Sequence, residues 1–157
     1  MKHLTVLTVD DSEDDTLLFQ RACRKIEVSF GLYTVNDGQR GIDYISGADA
    51  FANRQQYPLP DLLLLDLKMP KKNGFEVLEW VREQSVSKNL PVIIFTSSEN
   101  DGDIQQAYEK GANWYVMKPV NYNDLLKIAN TINSYLVTSN SNLLLSLQNF
   151  RGSRRTT

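Results

Sequence analysis

Along the chain, short apolar runs alternate with longer stretches in which apolar positions recur every three or four residues. Leu4 to Val9 (LTVLTV) is apolar and β-branched, hence a strand. It ends in the polar run Asp10-Asp11-Ser12-Glu13-Asp14-Asp15, after which Leu17, Leu18, Ala22, Cys23 and Ile26 recur at helical spacing to about Glu27. Phe30 to Val35 predicts a second strand. Asn36-Asp37-Gly38 is a turn able to cap the next helix, which carries Ile42 and Ile45 and fades at Gly47. Ala48 to Pro60 has no period and reads as an extended loop. Four leucines, Leu62 to Leu65, then complete a strand from Asp61 that is buried on both faces.

Phe75, Leu78 and Val81 mark a third helix ending near Ser85, and Pro91 to Thr96 (PVIIFT) a fourth strand, followed by the capping residues Ser97 and Ser98. A polar helix from about Asn100 to Lys110 has few apolar positions and stops at Gly111. Asn113 to Met117 is the fifth strand. The last clear helix runs from Asn121 or Asn123 to Leu136, with Leu125, Ile128, Ala129, Ile132 and Leu136 on one face. Five strand–helix repeats imply an α/β fold: a doubly wound five-stranded parallel sheet with flavodoxin-like strand order 2-1-3-4-5. Residues 1–136 form this domain, and 137–157 an extension. Its Leu143, Leu144, Leu145, Leu147 and Phe150 fold back on the domain, dock on a second copy, or stay disordered.

Composition narrows the function. Seventeen basic against nineteen acidic residues leave a formal charge of −2, which gives no basic surface for nucleic acid. Arg151, Arg154 and Arg155 sit in a polar end and read as a solvated tail. A single cysteine, Cys23, excludes an internal disulfide and reads as a buried small hydrophobe. No signal-peptide core and no run of transmembrane length is present, so a cytoplasmic protein away from the membrane is expected.

The topology brings the carboxyl ends of strands one, three, four and five to one rim, where open α/β sheets bind ligands. Asp10, Asp11, Asp66, Thr96 and Lys118 each fall at such an end. Singly, each has a plain explanation: helix capping for Asp10 and Asp11, a turn start for Asp66, a β-branched strand residue for Thr96, a solvated charge for Lys118. Together they suggest chemistry. Three carboxylates about 5 Å apart repel by roughly 3 kcal/mol per pair at an effective dielectric near 20. Lys118 offsets part of this, and Mg²⁺, or Mn²⁺ in its place, suits the remaining hard oxygens. A cation beside a lysine and a hydroxyl makes a phosphoryl site with Asp66 as nucleophile.

Val9-Asp10-Asp11-Ser12, Leu65-Asp66-Leu67-Lys68-Met69-Pro70, Phe95-Thr96-Ser97 and Tyr115-Val116-Met117-Lys118-Pro119 resemble the signature blocks of bacterial response-regulator receiver domains. The blocks occur in order over about residues 4 to 136, with Thr96 and Lys118 30 and 52 positions after Asp66. The resemblance implies that Asp66 accepts a phosphoryl group from the phosphohistidine of a sensor histidine kinase. It also implies that Asp11 binds Mg²⁺ directly, Asp10 mostly through water, and Lys68 through its backbone carbonyl. Lys118, before a cis Pro119, would contact the phosphoryl group. Thr96 would be the switch hydroxyl and Tyr115 the aromatic that moves into the space Thr96 vacates. Small Ser97 would leave room for the acyl phosphate, and the side chains of Lys68 and Ser98 would tune its loss.

The long Ala48–Pro60 loop, the lack of an output domain and the run from Leu67 to Gly74 are similar to single-domain regulators paired with bacterial and cyanobacterial phytochromes. That likeness suggests homodimers through the last helix and the extension. Three other readings stand beside it. An aspartate-based phosphatase would want an acid where Lys68 stands, and a flavodoxin a Ser, Thr and Gly loop where Asp10 and Asp11 stand. A degenerate receiver would lack one of the acids, the hydroxyl or the lysine.

Overall fold

The computed structural model describes residues 3–150, with no account of the side chains of Asn149 and Phe150. The arginines at 151, 154 and 155 lie outside these residues. The five strands are β1 (Thr5–Val9), β2 (Gly31–Val35), β3 (Leu62–Leu65), β4 (Val92–Thr96) and β5 (Trp114–Met117). They form one parallel sheet in the order β2-β1-β3-β4-β5, as the strand–helix alternation predicts. Strand ends fall within a residue of those expected.

β3 shows why a sheet of this kind needs unbroken apolar runs. Leu62 and Leu64 point to one face, where α1 (Glu13–Ile26) and α5 (Tyr122–Thr138) pack. Leu63 and Leu65 point to the other, under α2 (Gly38–Ser46), α3 (Gly74–Glu83) and α4 (Asp101–Glu109). All four leucines are buried, so helices on both faces remove β3 from water. Each helix starts at a residue whose side chain accepts a backbone N–H: Ser12, Asp37, Asn73, Asn100 and Asn121. Except for Asn73, which lies beyond the loop after β3, these caps stand two to four residues past the strand ends and fix where each helix leaves the rim.

Two stretches differ from expectation. The 48–60 loop contains a 3-10 turn at Asp49–Phe51 and is well packed. Phe51 and Tyr57 stack on Tyr44, and Arg54 donates to the carbonyls of Tyr44 and Ile45 in the last turn of α2, the first of which also accepts the Gly47 N–H. The extension turns back along α5 as a 3-10 helix, Ser141–Phe150. Leu144 (3% exposed) and Leu147 (0%) enter the same core as Leu125, Ile128 and Ile132. Spaced three apart, they share one side of a 3-10 helix. Leu144 and Leu147 fold back on the domain, while Leu145 stays exposed and the Phe150 side chain lies outside the described residues.

Among the described residues, no helix is long and apolar enough to cross a membrane.

Candidate functional site

Asp10 and Asp66 are the first residues past β1 and β3, Thr96 is the last of β4, and Lys118 is the first past β5. The sheet order sets β1, β3 and β4 side by side with β5 at the edge, so these residues share one rim. Asp10, Asp11 and Asp66 each offer a carboxylate oxygen, all within 4.8 Å of one another. Asp10 and Asp66 are buried, while Asp11 is exposed and opens the cluster to solvent.

The ammonium of Lys118 faces these acids. Its Nζ lies 2.7 Å from Asp10 Oδ2, 3.2 Å from Asp66 Oδ2 and 2.8 Å from Asp15 Oδ2. The remaining oxygens have local partners: Ser12 N–H donates to Asp10 Oδ1 at 2.9 Å, and Leu67 N–H to Asp66 Oδ1 at 2.7 Å. Burial pushes the Asp10 carboxyl up to about 6 from an ordinary 3.8, against the opposing hydrogen bonds from Lys118 and Ser12, with Asp66 adding to the rise. Burial also pulls the Lys118 ammonium down, but hydrogen bonds to Asp10 and Asp15 and the charge of Asp66 outweigh it and push it up. The two rises have different origins: burial lifts Asp10 although Lys118 opposes it, whereas Lys118 rises because three carboxylates face one ammonium.

Gly74 is what lets the loop after β3 close. Its N–H donates to Leu67 O at 2.8 Å, and a Cβ there would stand 2.3 Å from the Asp66 carbonyl oxygen. Within this loop Lys72 N–H bonds Pro70 O at 2.8 Å around Lys71 at φ 70°, a strained γ-turn. Lys68, two residues after Asp66, has an exposed side chain.

Thr96 is buried at the end of β4, and its carbonyl accepts the Lys118 N–H at 2.8 Å. Tyr115 is fully inside. Its hydroxyl donates to Ser98 O at 2.9 Å, while its N–H donates to the Tyr108 hydroxyl. Ser97 is exposed, and the Ser98 hydroxyl donates to Asp103 at 2.6 Å.

The Lys118–Pro119 bond is trans, which corrects the expected cis form: no described peptide bond is cis. Trans is the lower-energy isomer of an X–Pro bond, and with it Lys118 reaches all three carboxylates.

The residue that sequence reasoning missed is Asp15. Its place three after Ser12 reads as part of a helix start, and only the fold brings it to Lys118, 103 positions away.

The donor chemistry fits a hard divalent cation: clustered carboxylate oxygens, one of them solvent-facing, with no imidazole or thiolate in the cluster.

Residues 6–130 match the response regulator receiver domain family. The chain is 33% identical over 130 residues to response regulator Rcp1 of Synechocystis sp. (strain ATCC 27184 / PCC 6803 / Kazusa), covering 83% of this chain and 86% of Rcp1. The structure of the Mn²⁺-bound form of Rcp1 superposes with a TM-score of 0.74 at 32% identity, over 85% of this chain and 94% of that one. The phosphorylated cyanobacterial phytochrome response regulator RcpA gives a TM-score of 0.80 at 32% identity, covering 88% of this chain and 97% of RcpA. RPA3017, from red light signalling of R. palustris, gives 0.78 at 33% identity over 84% and 92% of the two chains.

Proposed function

This chain belongs to the response regulator receiver domain family, and from that premise we propose that it is the phosphoacceptor of a two-component pair, receiving its phosphoryl group on Asp66. Homologous receiver domains are signalling proteins rather than enzymes with a turned-over substrate. The chemistry proposed for this chain is accordingly confined to its own carboxylate. The donor is the phosphohistidine of a sensor histidine kinase. An Asp66 carboxylate oxygen attacks phosphorus, the O–P bond forms, the donor's N–P bond breaks, and the leaving imidazole takes up a proton. Water later reverses the gain by attacking the acyl phosphate and releasing inorganic phosphate.

One observation carries this reading: a buried ammonium, Lys118, lies 3.2 Å from Asp66 at a rim that also gathers Asp10 and Asp11. Lys118 neutralises charge arriving on the phosphoryl oxygens. Thr96, at the end of the neighbouring strand, supplies the hydroxyl that a phosphoryl group draws toward itself. Tyr115 and the Ser98 carbonyl it holds then carry the change to α4. Asp10, Asp11, Asp66 and the Lys68 carbonyl would hold Mg²⁺, which when bound neutralises carboxylate and phosphoryl charge. That Rcp1 has an Mn²⁺-bound form supports a divalent ion for this chain.

Similarity to the phytochrome response regulator RcpA and to RPA3017 of red light signalling supports a phytochrome as the partner kinase, and the pair would act in the cytoplasm. The receiver spans residues 1–136, and 137–157 is appended to it. Copies pair through the outer side of α5 and the extension, where Val137 and Leu145 remain exposed.

The test is labelling with Mg²⁺ and acetyl phosphate. The protein gains one acid-stable, base-labile phosphoryl group, and Asp66→Asn gains none. Labelling of that variant at the wild-type level rejects the assignment.

A further inference from the structure

We propose that Asp15 is a positioning residue: it holds the Lys118 ammonium at the edge of the site when a divalent cation takes over Asp10 and Asp66. This rests on the phosphoacceptor reading above.

Asp10 and Asp66 carry two demands in that reading. Both contribute to the acid cluster, and both bind Lys118, at 2.7 and 3.2 Å. A lone pair given to an ammonium is not available to a metal ion, and the two cations repel each other. Lys118 therefore has to withdraw without leaving, since the phosphoryl group needs it afterwards. Asp15 offers the place. Its Oδ2 is 2.8 Å from Nζ, and it is not a member of the clustered acids. A cavity of about 30 Å³ lined by Asp15, Leu18, Phe95, Lys118, Pro119 and Leu125 lies beside the pair, which gives the ammonium room to move.

The local sequence explains why this carboxylate is available. Asp15 is the third residue of α1, and Ser12 Oγ accepts its N–H at 3.2 Å. An acid at this position commonly reaches back to the N–H of the capping residue. Here that N–H is already given to Asp10 Oδ1. The Asp15 side chain points instead to Lys118, and at 39% exposure its charge costs little to keep in place.

The experiment is a double-mutant cycle on Mg²⁺ affinity, measured by isothermal titration calorimetry on the full chain with Asp15→Asn, Lys118→Met and the pair. Without Asp15 the ammonium can only fall back on Asp10 and Asp66, so Asp15→Asn weakens Mg²⁺ binding about fivefold. With Lys118→Met nothing remains to be held, and Asp15→Asn then changes affinity by less than about twofold, the screened effect of a half-exposed charge. Circular dichroism melts of all four proteins report that they are folded. Equal losses in both backgrounds overturn the proposal, because Asp15 then acts only as a distant charge. An unchanged affinity for Asp15→Asn overturns it as well. A wild-type chain that takes no Mg²⁺ sinks the phosphoacceptor reading with it, whereas a wild type that binds Mg²⁺ beside an unaffected Asp15→Asn sinks this inference alone.

Discussion

Acidification should release the divalent cation from this site well before ordinary carboxylates titrate. The perturbation is a shift from pH 7 to pH 5. Asp10 carries the effect, because burial holds its carboxyl near 6. Only its ionised form can serve a metal. Going from pH 7 to pH 5 takes a group titrating at about 6 from roughly nine-tenths ionised to roughly one-tenth, so apparent Mg²⁺ affinity falls about tenfold. A carboxyl at the ordinary 3.8 would cause almost no change over that range. Lys118 is pushed upward and stays charged throughout, so it adds no step.

Stability without metal should move the other way. A folded-state pKa above the unfolded value means that the native state binds the proton more tightly. The stabilisation from Asp10 is therefore fully present below pH 3.8 and is lost as pH rises through 6, with a span of about 3 kcal/mol. Calorimetric titration at pH 5, 6 and 7 in buffers of different ionisation enthalpy reads both the affinity and the protons released. About half a proton per Mg²⁺ is expected at pH 6. An affinity flat from pH 7 to 5, or binding with no proton release, would refute the assignment of a raised, metal-linked Asp10.

The extension and the loop after β3 give two further tests. Leu147→Ala should cost about 2–5 kcal/mol in urea denaturation, while Leu145→Ala, at an exposed position, stays within about 0.5 kcal/mol. The Leu147 loss should not depend on protein concentration; a midpoint that shifts with concentration would place that leucine in a partner copy instead. Glutamate at both 137 and 145 should shift light scattering toward monomer at an unchanged urea midpoint, because neither side chain is in the core. Gly38→Ala sets a Cβ 1.9 Å from the Lys72 carbonyl oxygen, in the loop that follows Asp66. It should cost about 1–3 kcal/mol and slow labelling by acetyl phosphate at temperatures where the variant is still folded; labelling at the wild-type rate would show that this contact does not position the loop.

What the chain reveals before folding is what repeats or stands beside a strand end. The four leucines of β3 and the rim residues Asp10, Asp66, Thr96 and Lys118 are all local signals, whereas Ser97 and Ser98, expected to cap the next helix, leave that role to Asn100. Sheet order turns the rim residues into one site. The signals that failed are those requiring a distant partner. Ala48 to Pro60 has no period because its order comes from Phe51 and Tyr57 meeting Tyr44, and from Arg54 meeting carbonyls of α2. Leu143 to Leu147 suggests a sticky tail, since burial picks out Leu144 and Leu147 only after a 3-10 helix forms on α5. Asp15 was hidden behind a simpler meaning, the first turn of a helix.

The charges at the rim form an arrangement that is incomplete without a ligand. Three carboxylates, at 10, 15 and 66, meet one ammonium, and Asp11 adds a fourth acid beside Asp10 and Asp66. Two of those carboxylates are buried, where exposed-surface screening does not reach them. Hydrogen bonds from Ser12 and Leu67 relieve one oxygen each on Asp10 and Asp66 but bring no net charge. A fold selected only for stability would replace one acid by an amide, at no cost in packing. In the proposed function this excess is what a cation acts on, and its neutralisation is what would redistribute Lys118. A phosphoryl group on Asp66, as proposed, would add negative charge and draw on the Thr96 hydroxyl at the same rim. Thr96 sits two residues before Ser98, whose carbonyl holds Tyr115 and whose hydroxyl holds Asp103 of α4. A charge imbalance at the strand ends is thus wired by three hydrogen-bonding residues to the start of α4, the helix with the fewest apolar anchors. On the proposed reading, that helix is where a change at Asp66 would cost least to express, because the polar 100–110 stretch buries only Ile104 and Ala107.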